Sequence, residues 1–331
     1  MTQLTFLEVD TEDRSIVEKA FPGAVISPDP ADGAALVELC KNSDVASCFI
    51  NTHFTKDVIA QLPKLKLLCT RSVGFDHIDV AACDERGITV CNVPDYGSHV
   101  IAEHVFALLL GTLRHVHLGD ERVREGQFDY HGLRGFALKG KTMGIVGTGK
   151  IGARVARIAR GFGMTILATD QCKNVELESD VGVRYVELRE LFASSDVVTL
   201  HVPATKETDH MINAKTLPMM KRGAVLVNTA RGSLIDSPAL IAALDAGTLG
   251  FALLDVLEHE KNFEENAKLV KHPHVVTTPH IAFYADDSMR NMYLDCFQSI
   301  REWTEGKKPQ HVVRPLNIVC TLKPISSADH A

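Results

Sequence analysis

The amino-acid sequence predicts an α/β fold with two doubly wound parallel sheets. Apolar runs of strand length alternate with helix-like segments along most of the chain. A glycine-rich stretch at 147–152 lies between one such run and a helix-like segment. The length of 331 residues gives two domains as the expected number, each large enough to bury a core.

The residues up to position 97 form the first predicted unit. Its strand-like runs lie at 4–9, 46–50, 65–70 and 88–92, and its helix-like segments lie at 12–20, 31–42, 56–61 and 80–86. This alternation predicts a small parallel α/β unit. The run at 65–70 leads into a glycine-containing turn at 71–76, and the carboxyl end of a strand is where such sheets bind ligands.

The segment 94–98 breaks this alternation and predicts a hinge. Ser98 is a suitable N-cap for a long helix, which we expect at 99–117. A polar segment at 126–135 follows, and the strand and helix alternation then resumes. The last residues, 321–331, are polar, and we expect them to be frayed.

The stretch 142–170 has the order strand, glycine turn, helix, strand, acid. Gly147 allows a tight turn, Gly149 lets the backbone approach a pyrophosphate, and Gly152 lets the helix pack closely on the strand. Free N–H groups at the start of the helix would hold the pyrophosphate. The stretch is not a Walker A loop, because no Ser or Thr follows Lys150. The order therefore predicts a dinucleotide site.

Asp170 indicates which dinucleotide this site binds. It ends the second strand, eighteen residues after Gly152, where a carboxylate can bond the hydroxyl pair of a ribose. A 2′-phosphate would be repelled at this position, so the acid favours NAD. Lys173 is the one nearby cation, and it leaves NADP open.

Three polar residues, Arg231, Glu260 and His280, each follow a different later strand. The predicted strands in this part of the chain are 196–202, 224–230, 251–256 and 275–278. The carboxyl ends of parallel strands meet at the crevice where a dinucleotide lies. A guanidinium can hold a carboxylate and polarise a carbonyl group, histidine can move a proton near neutral pH, and a carboxylate can fix the histidine tautomer. These residues predict hydride transfer between NAD and a 2-hydroxy or 2-keto acid.

Each of the three residues also has a purely structural interpretation. Arg231 could cap a turn, Glu260 has Glu258 as a competing solvated neighbour, and His280 is one of fifteen histidines. Their joint placement at separate strand ends favours the catalytic interpretation.

Composition excludes several classes of function. The net charge of −7 provides no basic surface for nucleic acid or an anionic membrane. The most apolar run, 105–113, is too short to span a bilayer. The first residues lack the basic region of a signal peptide, so we expect none.

Cysteine and histidine spacing argues against a metal site. The eight cysteines form no C-x-x-C pair, and most lie in apolar runs. They predict small core residues in a reducing compartment, the cytoplasm. His99, Glu103 and His104 lack the facing spacing of a zinc helix motif.

Over essentially its whole length, the chain resembles the D-isomer-specific 2-hydroxyacid dehydrogenase family. The matching motifs are Arg71-Ser-Val-Gly-Phe-Asp76, the glycine turn with Asp170, His201-Val-Pro203, Asn228-Thr-Ala-Arg-Gly232, Leu254-Asp-Val-Leu-Glu-His-Glu260 and Pro279-His-Ile-Ala282. The resemblance implies a Rossmann NAD-binding domain at 98–283, inserted into a flavodoxin-like substrate domain formed by 1–97 and 284–331. It also implies that the domains close over the substrate and that the helix after Ser98 builds a homodimer interface.

The resemblance further implies a role for each site residue. Arg231 would bind the substrate, His280 would donate the proton during reduction, and Glu260 would be the partner of His280. The implied cofactor contacts are Gly147, Thr148, Gly149, Lys150, Ile151, Gly152, Asp170, His201, Val202, Pro203, Thr205, Thr229, Ala230, Arg231, Asp255 and His280. The implied substrate contacts are Val73 and Gly74 through backbone N–H groups, Tyr96 and Phe283 as walls of a small pocket, and Arg231 and His280.

Within the family, the residues at 94–96 and 280–284 most resemble the D-lactate dehydrogenase branch, which implies reduction of pyruvate to D-lactate. Asp95 and Gly97 depart from that branch, so reduction of glyoxylate or hydroxypyruvate stays open. Phosphite oxidation and an NAD(H)-sensing, corepressor-like binding protein are further alternatives. Glu260, where related formate dehydrogenases would have glutamine, argues against that activity.

Overall fold

A computed structural model of the chain describes residues 2–260 and 262–313. These residues divide into two compact units, which we call the split unit (2–97 and 285–313) and the central unit (98–284). Among the described helices, none combines the length and the apolar character needed to cross a bilayer. The predicted frayed end at 321–331 lies outside the described residues.

The first part of the split unit is a parallel sheet with helices between its strands. The strands are β1 (Leu4–Phe6), β2 (Val25–Ile26), β3 (Val45–Cys48), β4 (Leu67–Thr70) and β5 (Thr89–Cys91), and the helices are α1 (Arg14–Ala20), α2 (Gly33–Cys40), α3 (Lys56–Ala60) and α4 (Val80–Glu85). The strand order is β2-β1-β3-β4-β5, so the sheet grows outward in both directions from β1 and β3. That switch point is where doubly wound sheets bind ligands.

The central unit contains a sheet of seven parallel strands. Its strands are β6 (Thr142–Val146), β7 (Thr165–Thr169), β8 (Arg184–Tyr185), β9 (Val197–Leu200), β10 (Ala224–Asn228), β11 (Leu249–Leu254) and β12 (Val275–Thr277). Its helices are α5 (Ser98–Leu113), α6 (Val116–Arg124), α7 (Lys150–Gly161), α8 (Glu176–Val181), α9 (Leu188–Ser194), α10 (Ser237–Asp245) and α11 (Phe263–Val270). The strand order is β12-β11-β10-β9-β6-β7-β8, with the switch point between β6 and β9.

Apolar side chains cover both faces of this seven-stranded sheet. Along β10, Val225 and Val227 belong to one buried cluster, and Leu226 between them belongs to the other. Side chains alternate across a strand, so a strand buried on both sides is apolar throughout. The doubly wound α/β class predicted from the sequence is confirmed.

The long helix predicted at 99–117 is wrong at its end. α5 stops at Leu113, and a separate helix, α6, begins at Val116. Between them His115 has a φ of 52°, which is the left-handed region and cannot continue a right-handed helix. Neither glycine nor proline marks this break, so local sequence does not reveal it.

A last helix, α12 (Asp286–Thr304), completes the split unit. It packs against β4. The ring of Phe297 lies 5.9 Å from that of Phe6 and 5.1 Å from that of Phe21, both at edge-on angles. Residues from distant parts of the chain therefore share one aromatic core.

Candidate active site

Arg231, Glu260 and His280 follow β10, β11 and β12, which are neighbours in the sheet. Oε2 of Glu260 lies 3.0 Å from Nδ1 of His280, at hydrogen-bond distance. The structure thus brings two of the three predicted residues into contact and places the third at the adjacent strand end. Nδ1 of His280 donates to the carboxylate, so Nε2 is the ring atom left to exchange a proton with a substrate.

The backbone around His280 is held in an unusual conformation by Asp255. His280 has a φ of 55°, which is uncommon for a residue with a side chain. Its N–H group donates to the carbonyl oxygens of Asp255 and Thr278, both at 2.9 Å. The Asp255 carboxylate accepts the N–H groups of Ile281 and Ala282, also at 2.9 Å. One buried residue therefore fixes the chain on both sides of the histidine.

Two further side chains, Thr278 and His104, complete this support. The Thr278 hydroxyl donates to Oδ1 of Asp255 at 2.5 Å, and Nε2 of His104 lies 3.0 Å from the same hydroxyl. Because the threonine hydrogen is already used, Nε2 of His104 must carry the hydrogen that joins the two. His104 and Thr278 are 174 positions apart in the chain, so no local sequence pattern could link them.

These contacts keep Asp255 ionised. Burial alone raises the pKa of its carboxyl group. Hydrogen bonds from His104, Thr278 and the two backbone N–H groups outweigh burial, and the net pKa lies below the usual value. A charged acceptor makes the hydrogen bonds at the His280 turn stronger than neutral ones.

The turn that bears Arg231 touches the turn after β11. A Cβ atom at Gly232 would lie 1.9 Å from the carbonyl oxygen of Leu257, so only glycine fits. The Asn228 side chain donates to the carbonyl oxygen of Arg231 at 2.8 Å. Nη1 of Arg231 donates to the Ala230 carbonyl oxygen at 2.7 Å. The arginine is thus placed by its own strand end and by the neighbouring one.

Glu258 is not the solvated neighbour that the sequence suggests. Its side chain is 15% exposed, and Oε1 lies 2.5 Å from Nε2 of His210. The hydrogen bond with Glu258 raises the pKa of His210. Burial opposes ionisation of Glu258, but hydrogen bonds from Ser237 and His210 prevail and lower its pKa. This ion pair anchors the segment between β11 and Glu260.

The glycine stretch has the geometry that its spacing predicts. Gly147 has a φ of 93°, and a Cβ there would lie 2.6 Å from the carbonyl oxygen of His201. A Cβ at Gly152 would lie 2.0 Å from the carbonyl oxygen of Gly147, so helix and turn pack without room for a side chain. At Gly149, apart from its chain neighbours, no atom of the described residues lies within 4 Å of the corresponding position. The backbone at Gly149 is therefore open to a ligand.

Comparison with known proteins shows the family of this chain. The family profile of the D-isomer specific 2-hydroxyacid dehydrogenase, NAD binding domain, matches residues 106–282. A 2-hydroxyacid dehydrogenase homolog of Haemophilus influenzae is 38% identical over 84% of this chain and 88% of its own length. A glyoxylate reductase of Thermococcus litoralis is 36% identical over 86% of this chain and 88% of its own. A solved D-lactate dehydrogenase of Aquifex aeolicus, complexed with NAD and lactic acid, matches with a TM-score of 0.85 at 34% identity, covering 92% of this chain and 96% of its own.

The chain belongs to the D-isomer-specific 2-hydroxyacid dehydrogenase family.

As a member of this family, the protein is an NAD-dependent oxidoreductase acting on CH–OH groups. The residues at the carboxyl edge of the central sheet fit that cofactor. Oγ1 of Thr229, directly after β10, is buried and has no hydrogen-bond partner among the described residues. A buried hydroxyl without a partner is rare and indicates a ligand atom as its partner. Together with the open backbone at Gly149, it fits a bound dinucleotide.

Asp170 is tied to the glycine stretch of this dehydrogenase. Its carboxylate accepts the N–H and hydroxyl groups of Thr148 at 2.5 and 3.0 Å, and the N–H group of Cys172 at 2.8 Å. The Tyr185 hydroxyl donates to the Thr148 hydroxyl at 2.9 Å and accepts the N–H group of Asn174 at 2.9 Å. Sequence patterns do not indicate Tyr185 as part of the site, because its strand, β8, is only two residues long.

The other implied cofactor residues of the dehydrogenase lie at the same edge. Lys150 and Ile151 begin α7, directly after Gly149. Val202 is next to the position that a Gly147 side chain would fill, and the Thr205 hydroxyl is engaged in a local turn with Thr208. His201 donates its backbone N–H to the carbonyl oxygen of Val146 at 2.7 Å, and burial of its ring lowers the pKa well below the usual value. Pro203 is exposed.

The implied substrate residues belong to both units. In the split unit, the carbonyl oxygen of Val73 accepts the Asn92 side chain at 2.8 Å, and that of Gly74 accepts the Ser72 hydroxyl at 2.6 Å. Tyr96 is only 4% exposed. In the central unit, the Phe283 ring lies edge-on to the His280 ring at 6.2 Å. No cluster of ligand residues suited to a metal ion occurs among the described residues.

Proposed function

We propose that this dehydrogenase reduces a small 2-keto acid, most simply pyruvate to D-lactate, with His280 as the proton donor. The Glu260–His280 hydrogen bond of 3.0 Å is the observation that supports the proposal most directly. The hydrogen bond from Nδ1 to the carboxylate fixes the ring orientation, so Nε2 is the nitrogen through which His280 can protonate a carbonyl oxygen. In the oxidative direction the neutral ring takes the proton back.

Arg231 is the proposed carboxylate ligand. Its guanidinium presents two parallel N–H groups to a carboxylate and withdraws charge from the neighbouring carbonyl group. Bound NADH supplies the hydride. The protein orients the substrate, holds the developing negative charge and delivers the proton.

The split unit is proposed to contribute backbone N–H groups that bind the substrate carboxylate. The carbonyl oxygen of Ser72 accepts the Val93 N–H group at 3.0 Å and that of Val73 accepts the Asn92 side chain at 2.8 Å, which fixes the peptide groups that carry the N–H groups of Val73 and Gly74. Their N–H groups are the proposed anion contacts. Phe283, whose ring lies edge-on to that of His280 at 6.2 Å, is the proposed contact of the substrate methyl group, which favours pyruvate. Tyr96 is a proposed substrate contact in the split unit.

Glyoxylate or hydroxypyruvate is the second candidate substrate. Its support is the identity of 36% to the glyoxylate reductase of Thermococcus litoralis and of 41% to that of Pyrococcus furiosus. Both candidate substrates would use Arg231, Glu260 and His280, and they differ only in the substituent on the carbonyl carbon.

A substrate panel tests the proposal. Oxidation of NADH is followed with pyruvate, phenylpyruvate, glyoxylate, hydroxypyruvate and oxaloacetate, and phosphite is tested with NAD in the reverse assay. Pyruvate is expected to give the highest kcat/KM. Activity with phosphite alone would replace the proposal by phosphite oxidation, and NADH binding without any turnover would indicate a sensing protein.

Two substitutions test the residues. His280→Gln is expected to lower kcat by about 1000-fold while NADH binding is kept, because general acid catalysis contributes roughly 100- to 10,000-fold. His259→Gln is the matched control, since His259 is exposed and its ring lies 3.4 Å from the carboxylate of the nearby Glu265. Arg231→Lys is expected to raise KM for the keto acid, because lysine lacks the planar fork. Unchanged kinetics in His280→Gln would contradict the assignment.

We also propose a homodimer formed through an apolar surface at α6 and the segment after it. This surface consists of Val116, Leu118, Val123, Phe128 and Tyr130, all exposed, with Phe128 at 95% and Tyr130 at 80%. Exposed aromatic side chains of this kind mark interaction surfaces. Light scattering is expected to give twice the chain mass, and Phe128→Glu is expected to give a monomer. The cytoplasmic location stays a prediction.

A further inference from the structure

Arg71 is a fully buried cation at the carboxyl end of β4. Nη2 donates to the carbonyl oxygens of Leu7 and Glu8, each at 2.6 Å, and Nη1 donates to the Ser47 hydroxyl at 2.9 Å. The guanidinium lies 5.2 Å from the centre of the Tyr293 ring. Its Nε atom has no hydrogen-bond partner among the described residues.

The charge of Arg71 is not neutralised by a direct carboxylate contact. Within residues 2–260 and 262–313, no Asp or Glu lies within ion-pair distance of the guanidinium. Asp13 hydrogen-bonds to the Tyr293 side chain rather than to the arginine. The Glu8 carboxylate is occupied by backbone N–H groups at 49–52, at 2.9 to 3.2 Å. The charge of Arg71 acts on Asp13 only through space, without contact. A buried charge that no carboxylate contacts is costly, and this cost suggests that Arg71 has a function.

The position of Arg71 suggests which function this is. It directly precedes Ser72, Val73 and Gly74, the turn proposed to bind the substrate carboxylate. The Val93 N–H group and the Asn92 side chain hold the carbonyl groups of Ser72 and Val73, so the N–H groups of Val73 and Gly74 in the same peptide planes keep one orientation. Two residues of chain span at most about 7 Å and the arginine side chain adds about as much, so the guanidinium lies within roughly 15 Å of these N–H groups, with a separation on the order of 10 Å for intermediate orientations.

We propose that Arg71 makes the turn at 72–74 selective for anionic substrates. The inference rests on the proposed reduction of a 2-keto acid and names the residue that distinguishes an acid from a neutral carbonyl compound. Arg71 acts through the field of its charge and does not touch the substrate, so it is a positioning residue. A unit positive charge at about 10 Å in a medium of effective dielectric constant about 20 raises the affinity for an anion roughly tenfold.

The test compares a charged substrate with a neutral one of similar shape. Arg71→Met removes the charge and keeps an unbranched apolar side chain, and Arg71→Lys keeps the charge. Kinetics are measured with pyruvate and with methyl pyruvate, its uncharged ester. Arg71→Met is expected to raise KM for pyruvate about tenfold, to leave kcat/KM for methyl pyruvate within about twofold, and to be largely rescued in Arg71→Lys.

A merely structural role gives a different result. If Arg71 only ties β1, β3 and β4 together, Arg71→Met lowers the activity with both substrates in parallel, and that result overturns the inference. The fold of the split unit is checked through the fluorescence of Trp303, the single tryptophan, which lies in α12. If Arg71→Met does not fold, Arg71→Gln, which keeps N–H donors for the two carbonyl groups, takes its place in the same comparison.

Separate results refute the proposed 2-keto acid reduction and the role of Arg71. A wild-type protein that reduces no 2-keto acid overturns the proposed function and this inference with it. A wild-type protein that reduces pyruvate, with Arg71→Met equally impaired on acid and ester, overturns the role of Arg71 alone.

Discussion

Replacing Thr278 by valine tests the support beneath His280. The change removes the hydroxyl that joins His104 to Asp255 and alters side-chain volume little. Two hydrogen bonds are lost, one of them to a buried carboxylate, and a bond to a charged group contributes about 1.5–3 kcal/mol. The closed form of the His280 turn should therefore lose about 2 kcal/mol.

Hydrogen exchange measures this loss at the turn itself. The N–H groups of Ile281 and Ala282 exchange when they leave the Asp255 carboxylate. Since about 1.4 kcal/mol corresponds to a factor of ten, a loss of about 2 kcal/mol should speed their exchange about 30-fold. Mass spectrometry of a peptide that spans 278–284 provides the rate. We also expect kcat for keto-acid reduction to fall about tenfold, because His280 is held less well.

The adjacent residue provides the control. Thr277 makes no side-chain hydrogen bond to any described residue and ends β12. Thr277→Val should leave the exchange of Ile281 and Ala282 unchanged. Equal exchange rates in the two variants would refute the reasoning, because the Thr278 hydroxyl would then contribute nothing to the turn.

Three further changes have defined outcomes. His210→Asn should lower the melting temperature by roughly 2 °C. The pKa of Glu258 is lowered, so its stabilisation is lost as pH falls through that lowered pKa, and the pKa of His210 is raised, so its stabilisation is lost as pH rises through that raised pKa. In thermal scans the difference from wild type should therefore be largest at pH values between the two pKa values. Asp170→Ala should raise KM for NADH about tenfold and so bring it closer to KM for NADPH. An unchanged ratio of the two KM values in steady-state assays would contradict the role of the acid. Gly232→Ala should lower kcat/KM at least about 100-fold, because its Cβ would lie 1.9 Å from the Leu257 carbonyl oxygen; near-normal kinetics would show that the turn yields without cost.

The sequence predicts the parts of this molecule that depend on local order. The glycine spacing at 147–152 corresponds to a turn in which Gly147 and Gly152 each have a steric reason, while Gly149 leaves the backbone open. Apolar runs predict the strands, and parallel strands force their carboxyl ends together. That geometric rule brings Glu260 and His280 to the same edge of the sheet, and the family resemblance implies their pairing; their side chains lie 3.0 Å apart.

The remainder of the site depends on contacts between distant residues. His104 lies on α5, and its spacing from His99 raises only the question of a metal ligand, although its partner is Thr278 at the other end of the central unit's sequence. Glu258 and Glu260 lie in the same acidic stretch of the sequence. Only the three-dimensional position of His210 shows that Glu258 is hydrogen-bonded rather than solvated. The break at His115 has no proline or glycine to announce it.

The placement of α12 has a consequence for how the chain folds during synthesis. Among the described residues the central unit is one continuous segment, so all seven strands of its sheet have left the ribosome once Tyr284 has. The aromatic core around Phe6 and Phe21 must wait for Phe297, so one face of the first sheet to be made is the last to be covered. That delay leaves apolar surface of the split unit open to chaperones and to aggregation until α12 has been made.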